Sequence, residues 1–581
     1  MCGIAGVMMR GGRSPAPAVL TRMAQALRHR GPDGDGTHIH GAVGLVHTRL
    51  SIVDLAGGAQ PLVAGDVALV ANGEIYNDPQ LRAELPGPFA TGSDCESALH
   101  LYLRDGERFA EKLRGMYALA IHDASKAQLL LARDPFGIKP LYYAETDEGL
   151  FFASEPQALI AAGVMAAAVD ERARDEVQAF NFSTGVATPF TGITRAAPGE
   201  TLVIANGRIV RRLSRPALPV GADVARSDAD AVKGFDAVWQ DSVHAHQRSD
   251  VPYGMFLSGG IDSAAVLAMM ARLNSQPVLA FTAAFPDTDV HDERHAARAA
   301  AKAAGARHVE IEVTAADFWR DLPAIAEAVD DPVCDYAVVP TYLLARAAVR
   351  DVKVVLTGEG GDELFAGYGR MRAALRPWPF NKRPWRRNAL AGILRPAETY
   401  WAASVEETRR LTAARHGDEL RALQALDCAA WLPNDLLIKL DRCLMAFGVE
   451  GRVPFLDPAV ADFAFSLPQS QKIRDGRGKW VVRQWLSEHF PTADAFAKKR
   501  GFTVPVGAWI NAEAAHLGPL VANQPGIRES CAPETVRGLF GGISESNAGQ
   551  AWSLLFYALW HRRHIIGDKT DGDVFEVLAR A

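Results

Sequence analysis

The chain has 581 residues, 48% hydrophobic and 22% charged, which describes globular domains, more than one at this length, and excludes a disordered or fibrous polymer. A net charge of −6, from 62 basic and 68 acidic residues, gives nucleic acid or anionic lipid little to hold and leaves small molecules as the expected partners. Six cysteines (Cys2, Cys95, Cys334, Cys428, Cys443 and Cys531), with no CxxC pair, argue against a disulfide framework or a zinc site and fit a reducing cytoplasm.

The chain opens MCGIAG, and Arg10 and Arg13 arrive before any signal-like apolar stretch develops. Short apolar strands follow at 43–50, 67–71, 117–122, 129–132 and 150–154, cut by Gly, Pro and Asp, with helices at 19–28 and 96–105. This texture predicts stacked antiparallel sheets carrying helices over residues 1–210. The polar clusters RHRGPD (28–33), RLSIV (49–53), NGEIYN (72–77) and GSD (92–94) fall between the strands and read as loops. The longest apolar run, 158–169, is too short for the roughly 20 residues that cross a bilayer.

Residues 211–228 hold two prolines and no periodicity and read as a linker. From 229 to 581 strand and helix alternate: helices at 231–247, 263–273 and 293–304, strands at 254–257, 278–285, 309–313 and 352–356. That alternation predicts a parallel sheet, followed by a mostly helical last part rich in Ala, Leu and Trp.

Chemistry concentrates at two strand ends in this half. Leu257 leads into Ser258, Gly259, Gly260, Ile261, Asp262 and Ser263 and straight into a helix. Glycines admit close backbone approach, and a helix N-terminus with hydroxyls favours an anion such as phosphate. There is no GxxxxGK[ST], so this is not a Walker loop. A second strand ends in Thr357, Gly358, Glu359, Gly360, Gly361, Asp362 and Glu363; clustered carboxylates there call for a cation, and Mg²⁺ on nucleotide phosphates would serve. HDERH at 291–295 misses the HExxH zinc spacing and reads as a solvated helix start, and the 498–500 KKR run as solvated surface.

MCGIAG with the N-terminal clusters resembles the glutaminase domain of class II glutamine amidotransferases, and SGGIDS resembles the pyrophosphate loop of ATP pyrophosphatases. With TGEGGDE, Asp441-Arg442, GVEGRVPFLD (448–457) and Gly478-Lys479, the whole chain resembles the glutamine-hydrolysing asparagine synthetase family. The resemblance implies a two-domain α/β protein. Its first domain would be an Ntn-hydrolase-type αββα sandwich, and its second a parallel-sheet domain like the adenine nucleotide α-hydrolases with a helical C-terminal part.

It further implies that Cys2, exposed by loss of Met1, attacks glutamine, with Asn72 and Gly73 as oxyanion donors. Arg49, Leu50, Ser51, Ile52, Val53, Glu74 and Asp94 would complete the glutamine site. ATP is placed on Leu257, Ser258 to Ser263, Thr357 and Gly358, with Asp262 and Asp362 on Mg²⁺, and Glu359 and Lys479 at the acyl-adenylate. Glutamine, ATP and aspartate are the implied small molecules, and a second copy of the chain an implied partner.

Ala264 after SGGIDS, and Gly361 where GEGSDE has serine, depart from the usual pattern. KKRGFTVPVG (498–507) resembles a segment of relatives that amidate other carboxylates. Aspartate is therefore the first acceptor and another carboxylate the alternative. An inactive relative retained as a binding protein is disfavoured by the intact Cys2, and phosphoribosyl or sugar-phosphate amidotransferases by SGGIDS.

Overall fold

A computed structural model describes residues 2–580 except 222, 287, 289–292, 378–379, 381–389, 391, 396–405, 411, 413, 416–417, 498–502 and 545. The first two residues of HDERH and the start of KKRGFTVPVG lie outside the described residues.

The first half is built on β1 (Gly3–Met9), which is apolar on both faces because both are covered. Ile4 and Met8 point one way, Ala5 and Val7 the other, and all are buried. With β2 (Gly34–His40), β3 (Val43–Arg49), β8 (Tyr142–Glu145), β9 (Gly149–Ala153) and β10 (Thr194–Arg195) it forms an antiparallel sheet ordered β10-β8-β9-β1-β3-β2. The second sheet uses β4 (Leu62–Ala64), β5 (Val67–Ile75), β6 (Gly115–Asp123), β7 (Gln128–Arg133), β11 (Glu200–Ala205) and β12 (Arg208–Ser214), ordered β12-β11-β7-β6-β5-β4.

Ile4, Leu45 and Phe152 meet Val70, Ala120 and Leu131 between the sheets. The helix Pro17–Ala26 sets Leu20 and Met23 on the outer face of β1 and β3, and Glu96–Asp105 sets Leu99 and Tyr102 on the outer face of β5 and β6. The result is a helix–sheet–sheet–helix sandwich with Cys2 at the head of its central strand.

Two elements differ from the sequence expectation. Asn72, Gly73 and Glu74 lie inside β5, paired with Ala118, Tyr117 and Met116, where the polar run read as a loop. Backbone pairing continues along β6 although the apolar alternation stops, because one face there lines a site and not the core. Likewise β12 carries the ladder to Ser214, into the stretch read as a linker. It is an edge strand, with only Ile209 and Leu213 half-buried, so its pattern is weak.

The second half begins with the helix Asp228–His246, N-capped by Ser227. β13 (Tyr253–Phe256), β14 (Leu279–Ala284), β15 (Arg307–Glu312), β16 (Val354–Leu356) and β17 (Glu450–Arg452) form a parallel sheet ordered β15-β14-β13-β16-β17. The strand order reverses between β13 and β16, so the loops that follow these two strands lie side by side at their carboxyl ends. Behind the sheet, the helix Ala548–His561 is buried on every side over 551–561. Its Trp552 and Trp560 indoles donate to the carbonyls of Cys334 (2.7 Å) and Asp330 (2.8 Å), pinning the 330–335 loop. Among the described residues no helix is long and apolar enough to cross a membrane, and all six cysteines are free.

Candidate active sites

Cys2 is buried where β1 starts, held at both ends of its peptide unit. Its nitrogen donates to Asn72 Oδ1 (3.1 Å), its carbonyl accepts from Arg30 Nε (3.2 Å), and Sγ lies 4.0 Å from the Leu50 carbonyl. Burial pushes the thiol up, so a nearby base is needed to make the thiolate. Asn72 is fully buried, and its Nδ2 has no hydrogen-bond partner within the structure.

Gly73 stands opposite Tyr117, whose N–H and C=O both go to Asp134 (3.2 and 2.8 Å). In an antiparallel ladder that turns the Gly73 N–H away from β6, toward the open side of the strand. A side chain at this position would meet the Met116 carbonyl at 2.2 Å, so only glycine fits.

Glu74 and Asp94 are both buried. Burial pushes both carboxyls up, and for Glu74 the neighbouring Asp94 adds to it while Arg452 opposes it. Asp94 accepts from the Ile75 N–H (2.6 Å), and Glu74 lies 3.2 Å from the Arg452 guanidinium. The Arg49 fork is anchored on the carbonyls of Asp54 (2.6 Å) and Leu55 (3.2 Å), and no side-chain carboxylate pairs with it among the described residues. The 49–53 segment is fixed by Ser51 N–H on Asp33 (2.8 Å) and by the Ile52 carbonyl on the Asp250 N–H (2.9 Å); Leu50 and Ile52 are buried, and Val53 is half-buried. Every residue expected at glutamine thus lies on β1, β3, β5 or the turns beside them.

The second centre sits at the β13/β16 switch. Leu257 ends its strand on Phe281 and accepts from Thr282 (2.7 Å); Ser258 and Ser263 hydroxyls meet at 2.9 Å, and the Gly260 N–H binds the Ser258 hydroxyl (3.1 Å). Ile261 opens the helix Ile261–Leu273, and the Gly259 N–H donates to Glu293 (3.1 Å). The two loops touch so closely that a side chain at Gly358 would meet Asp262 Cβ and the Ser263 nitrogen at 2.9 Å. The Thr357 N–H donates to the Arg452 carbonyl (2.9 Å), and its buried hydroxyl has no partner within the structure.

Lys479, buried and in left-handed backbone (φ 61°), reaches back to pair with Asp262 and with Asp362 (2.8 Å). Against its burial, these two carboxylates hold its pKa up. Two carboxylates thus converge on one cation. That donor set fits a Mg²⁺ ion whose remaining ligands are phosphate oxygens and water. Glu359 follows in the same loop, its carboxyl raised by burial and drawn back by Lys439.

Three residues that the sequence reading left without a role, Arg30, Arg452 and Lys139, join the halves. Arg30 is fully buried and clamps Asp441 through both terminal nitrogens (2.8 and 3.0 Å) and Glu155 (2.6 Å) while holding the Cys2 carbonyl. Arg452 binds Glu450 (2.5 Å), the carbonyls of His246 and Arg248, and Glu74 across the interface. Lys139 donates to the Gly451 carbonyl (3.3 Å). The motifs RHRGPD and GVEGRVPFLD contained Arg30, Glu450 and Arg452, but nothing in their spacing pairs one motif with the other.

A cysteine-headed sandwich fused to a parallel sheet with these two strand-end loops defines a glutamine amidotransferase joined to a ligase. A family profile described as a glutamine amidotransferase domain matches residues 1–213, and one described as asparagine synthase matches 234–562. The putative asparagine synthetase [glutamine-hydrolyzing] of Mycobacterium tuberculosis (H37Rv) is 33% identical over 94% of both chains. Asparagine synthetase [glutamine-hydrolyzing] 1 of Bacillus subtilis is 30% identical over 97% of both. Asparagine synthetase B of Escherichia coli is 32% identical over 84% of this chain and 79% of its own. The chain belongs to the glutamine-hydrolysing asparagine synthetase family and is a glutamine-hydrolysing ligase.

Proposed function

We propose that the chain makes asparagine from aspartate, using ATP and the amide nitrogen of glutamine. The observation that carries this reading is that Arg452 touches both centres, its side chain on Glu74 and its carbonyl on Thr357.

In the sandwich, loss of Met1 turns the Cys2 nitrogen into a free amine, still oriented by Asn72 Oδ1. An α-amine titrates near pH 7.7–8 and takes the thiol proton directly or through water. The thiolate attacks the glutamine amide carbon; Asn72 Nδ2 and the Gly73 N–H receive the oxyanion, ammonia leaves with the returned proton, and water then cleaves the glutamyl thioester to release glutamate and restore the thiol. Arg49 holds the glutamine α-carboxylate and Glu74 with Asp94 its ammonium.

In the other half the aspartate side-chain carboxylate attacks the α-phosphorus of ATP and expels pyrophosphate, with Lys479 against the phosphate charge. Asp262 and Asp362 would hold Mg²⁺, which when bound neutralises the charge of the leaving pyrophosphate. Ammonia then attacks the acyl carbon, AMP departs, and Glu359 accepts the surplus proton. Generating ammonia inside the protein keeps it unprotonated, hence nucleophilic.

The test is Cys2→Ala. Asparagine formation from glutamine should fall to background while formation from ammonium chloride persists. Retained glutamine use, or loss of both activities in a folded variant, overturns the assignment.

A further inference from the structure

Three histidines from two sheets meet at one end of the sandwich. His38 and His40 are two residues apart on β2, so their rings leave the same face of the strand, and their centroids lie 6.4 Å apart. His122 comes from β6 in the other sheet and lies 6.2 Å from His38 and 5.7 Å from His40. His40 pairs with Val43 and Val43 with Met8, which puts the cluster at the far end of β1 from Cys2. β2 is the edge of its sheet, bonded to β3 alone.

His122 follows Ala118 and Ala120 on the face of β6 that looks between the sheets, and it is only 4% exposed. Its Nδ1 has no hydrogen-bond partner within the structure, which is costly for a buried polar atom unless a ligand completes it. Burial, and then the two neighbouring rings, lower His122 to about 4, and burial with His40 lowers His38. Both are therefore neutral at pH 7.5, the form of imidazole that binds a metal. His38 is half-buried and His40 exposed, so the cluster opens to solvent on the β2 side. The adjacent Asp123 points to the opposite face of β6 and is held by the Tyr102 and Ser125 hydroxyls (2.7 and 2.6 Å). The donor set is nitrogen alone, which suits zinc, nickel or copper and not Mg²⁺ or Ca²⁺.

As they stand, no three His, Cys, Asp or Glu side chains among the described residues are at ligand spacing for a metal ion. Here the closure required is small. Three imidazoles on one zinc, with Zn–N bonds of about 2.0–2.1 Å, keep their centroids about 5 Å apart, so these rings need to approach by about 1 Å. Rotation of the exposed His40 and half-buried His38 side chains supplies that without moving either strand.

We propose that His38, His40 and His122 bind one divalent transition-metal ion, zinc in the first place, with water as its fourth ligand, and that the ion clips the edge strand β2 to the second sheet.

The experiment titrates ZnCl₂ calorimetrically into the full chain, prepared without a polyhistidine tag, at pH 7.5, and follows the thermal unfolding midpoint in parallel. One equivalent should bind and raise the midpoint, as a ligand of the folded state does. His40→Asn, at an exposed position, and His122→Asn should each weaken binding at least about tenfold, the lower end of what even an outer partner of a metal ligand is worth. Cys2→Ala should take up zinc as the unaltered chain does, which separates this site from the thiol at the head of β1. No uptake with zinc in excess, uptake undiminished in His40→Asn, or uptake lost in Cys2→Ala overturns the proposal. Should His122→Asn not fold, His40→Asn decides alone.

Discussion

Asn72 holds the Cys2 nitrogen with one end of its amide and keeps the other end unbonded, so truncating it removes two functions at once. Asn72→Ala should lower glutaminase kcat by about 10²–10³-fold, the usual effect of losing one oxyanion donor, and leave ammonia-dependent synthesis intact. Steady-state glutamate release against glutamine and ammonia assays in parallel checks both halves of that statement. At this scale the sequence was informative where a residue sits in a distinctive local string, as Cys2, Asn72 and the Ser258–Ser263 loop do. It was silent where a role depends on pairing. The freedom of the Gly73 N–H follows from what Tyr117 does with Asp134, and the cation facing Glu74 is Arg452, far along the chain.

Among the elements, apolar alternation placed the strands and helices it named to within a few residues, because core burial writes itself into period-two and period-3.6 patterns. It stopped short in β5 at Asn72 to Glu74, the stretch proposed to line the glutamine site. The reversal of order between β13 and β16 was also invisible locally, since alternating strand and helix give a parallel sheet without its strand order. In the segment after β16, Gly367 lies against both Asp362 and Lys479. An added methyl would fall 1.8 Å from Asp362 Oδ1 and 2.3 Å from Lys479 Cε. Gly367→Ala should therefore suppress aspartate-dependent pyrophosphate release at least about tenfold, a displacement of more than ~1.4 kcal/mol at the barrier, without changing glutamine hydrolysis. A loss shared equally by both reactions would place the damage in the fold instead.

For the whole molecule, histidines kept neutral by burial are spread over both halves. His47 and His246 are lowered to about 3, and His564 to about 4, burial being the leading cause in each. A folded pKa below the ordinary 6.5 gives stability that is present above pH 6.5 and is lost as pH falls toward the folded value. At pH 5 each such histidine costs about 2 kcal/mol relative to pH 7.5. Asp330, raised to about 6 by burial, has the opposite sign, so the histidine part must be read as a difference. His564→Gln should flatten the decline in unfolding midpoint between pH 7.5 and 5, and an unchanged slope would contradict it. Arg452→Gln strands Glu74 and Glu450 in the interior, which should lower stability by on the order of 3–5 kcal/mol and raise the KM for glutamine. Denaturant unfolding and glutaminase assays measure the two effects.

Arg452 also sets an order of events during synthesis. The last strand of the sandwich ends at Ser214, but the guanidinium that opposes the burial of Glu74 beside Asp94 comes much later in the chain, on the last strand of the other sheet. A sandwich without the second half would therefore hold the Glu74 and Asp94 carboxyls without Arg452 to oppose the burial of Glu74. On the proposed function, the glutamine site is complete only when the second half has folded against the first, so unfinished chains should hydrolyse glutamine poorly, which ribosome-released fragments ending near Ser214 would show in a glutamate-release assay.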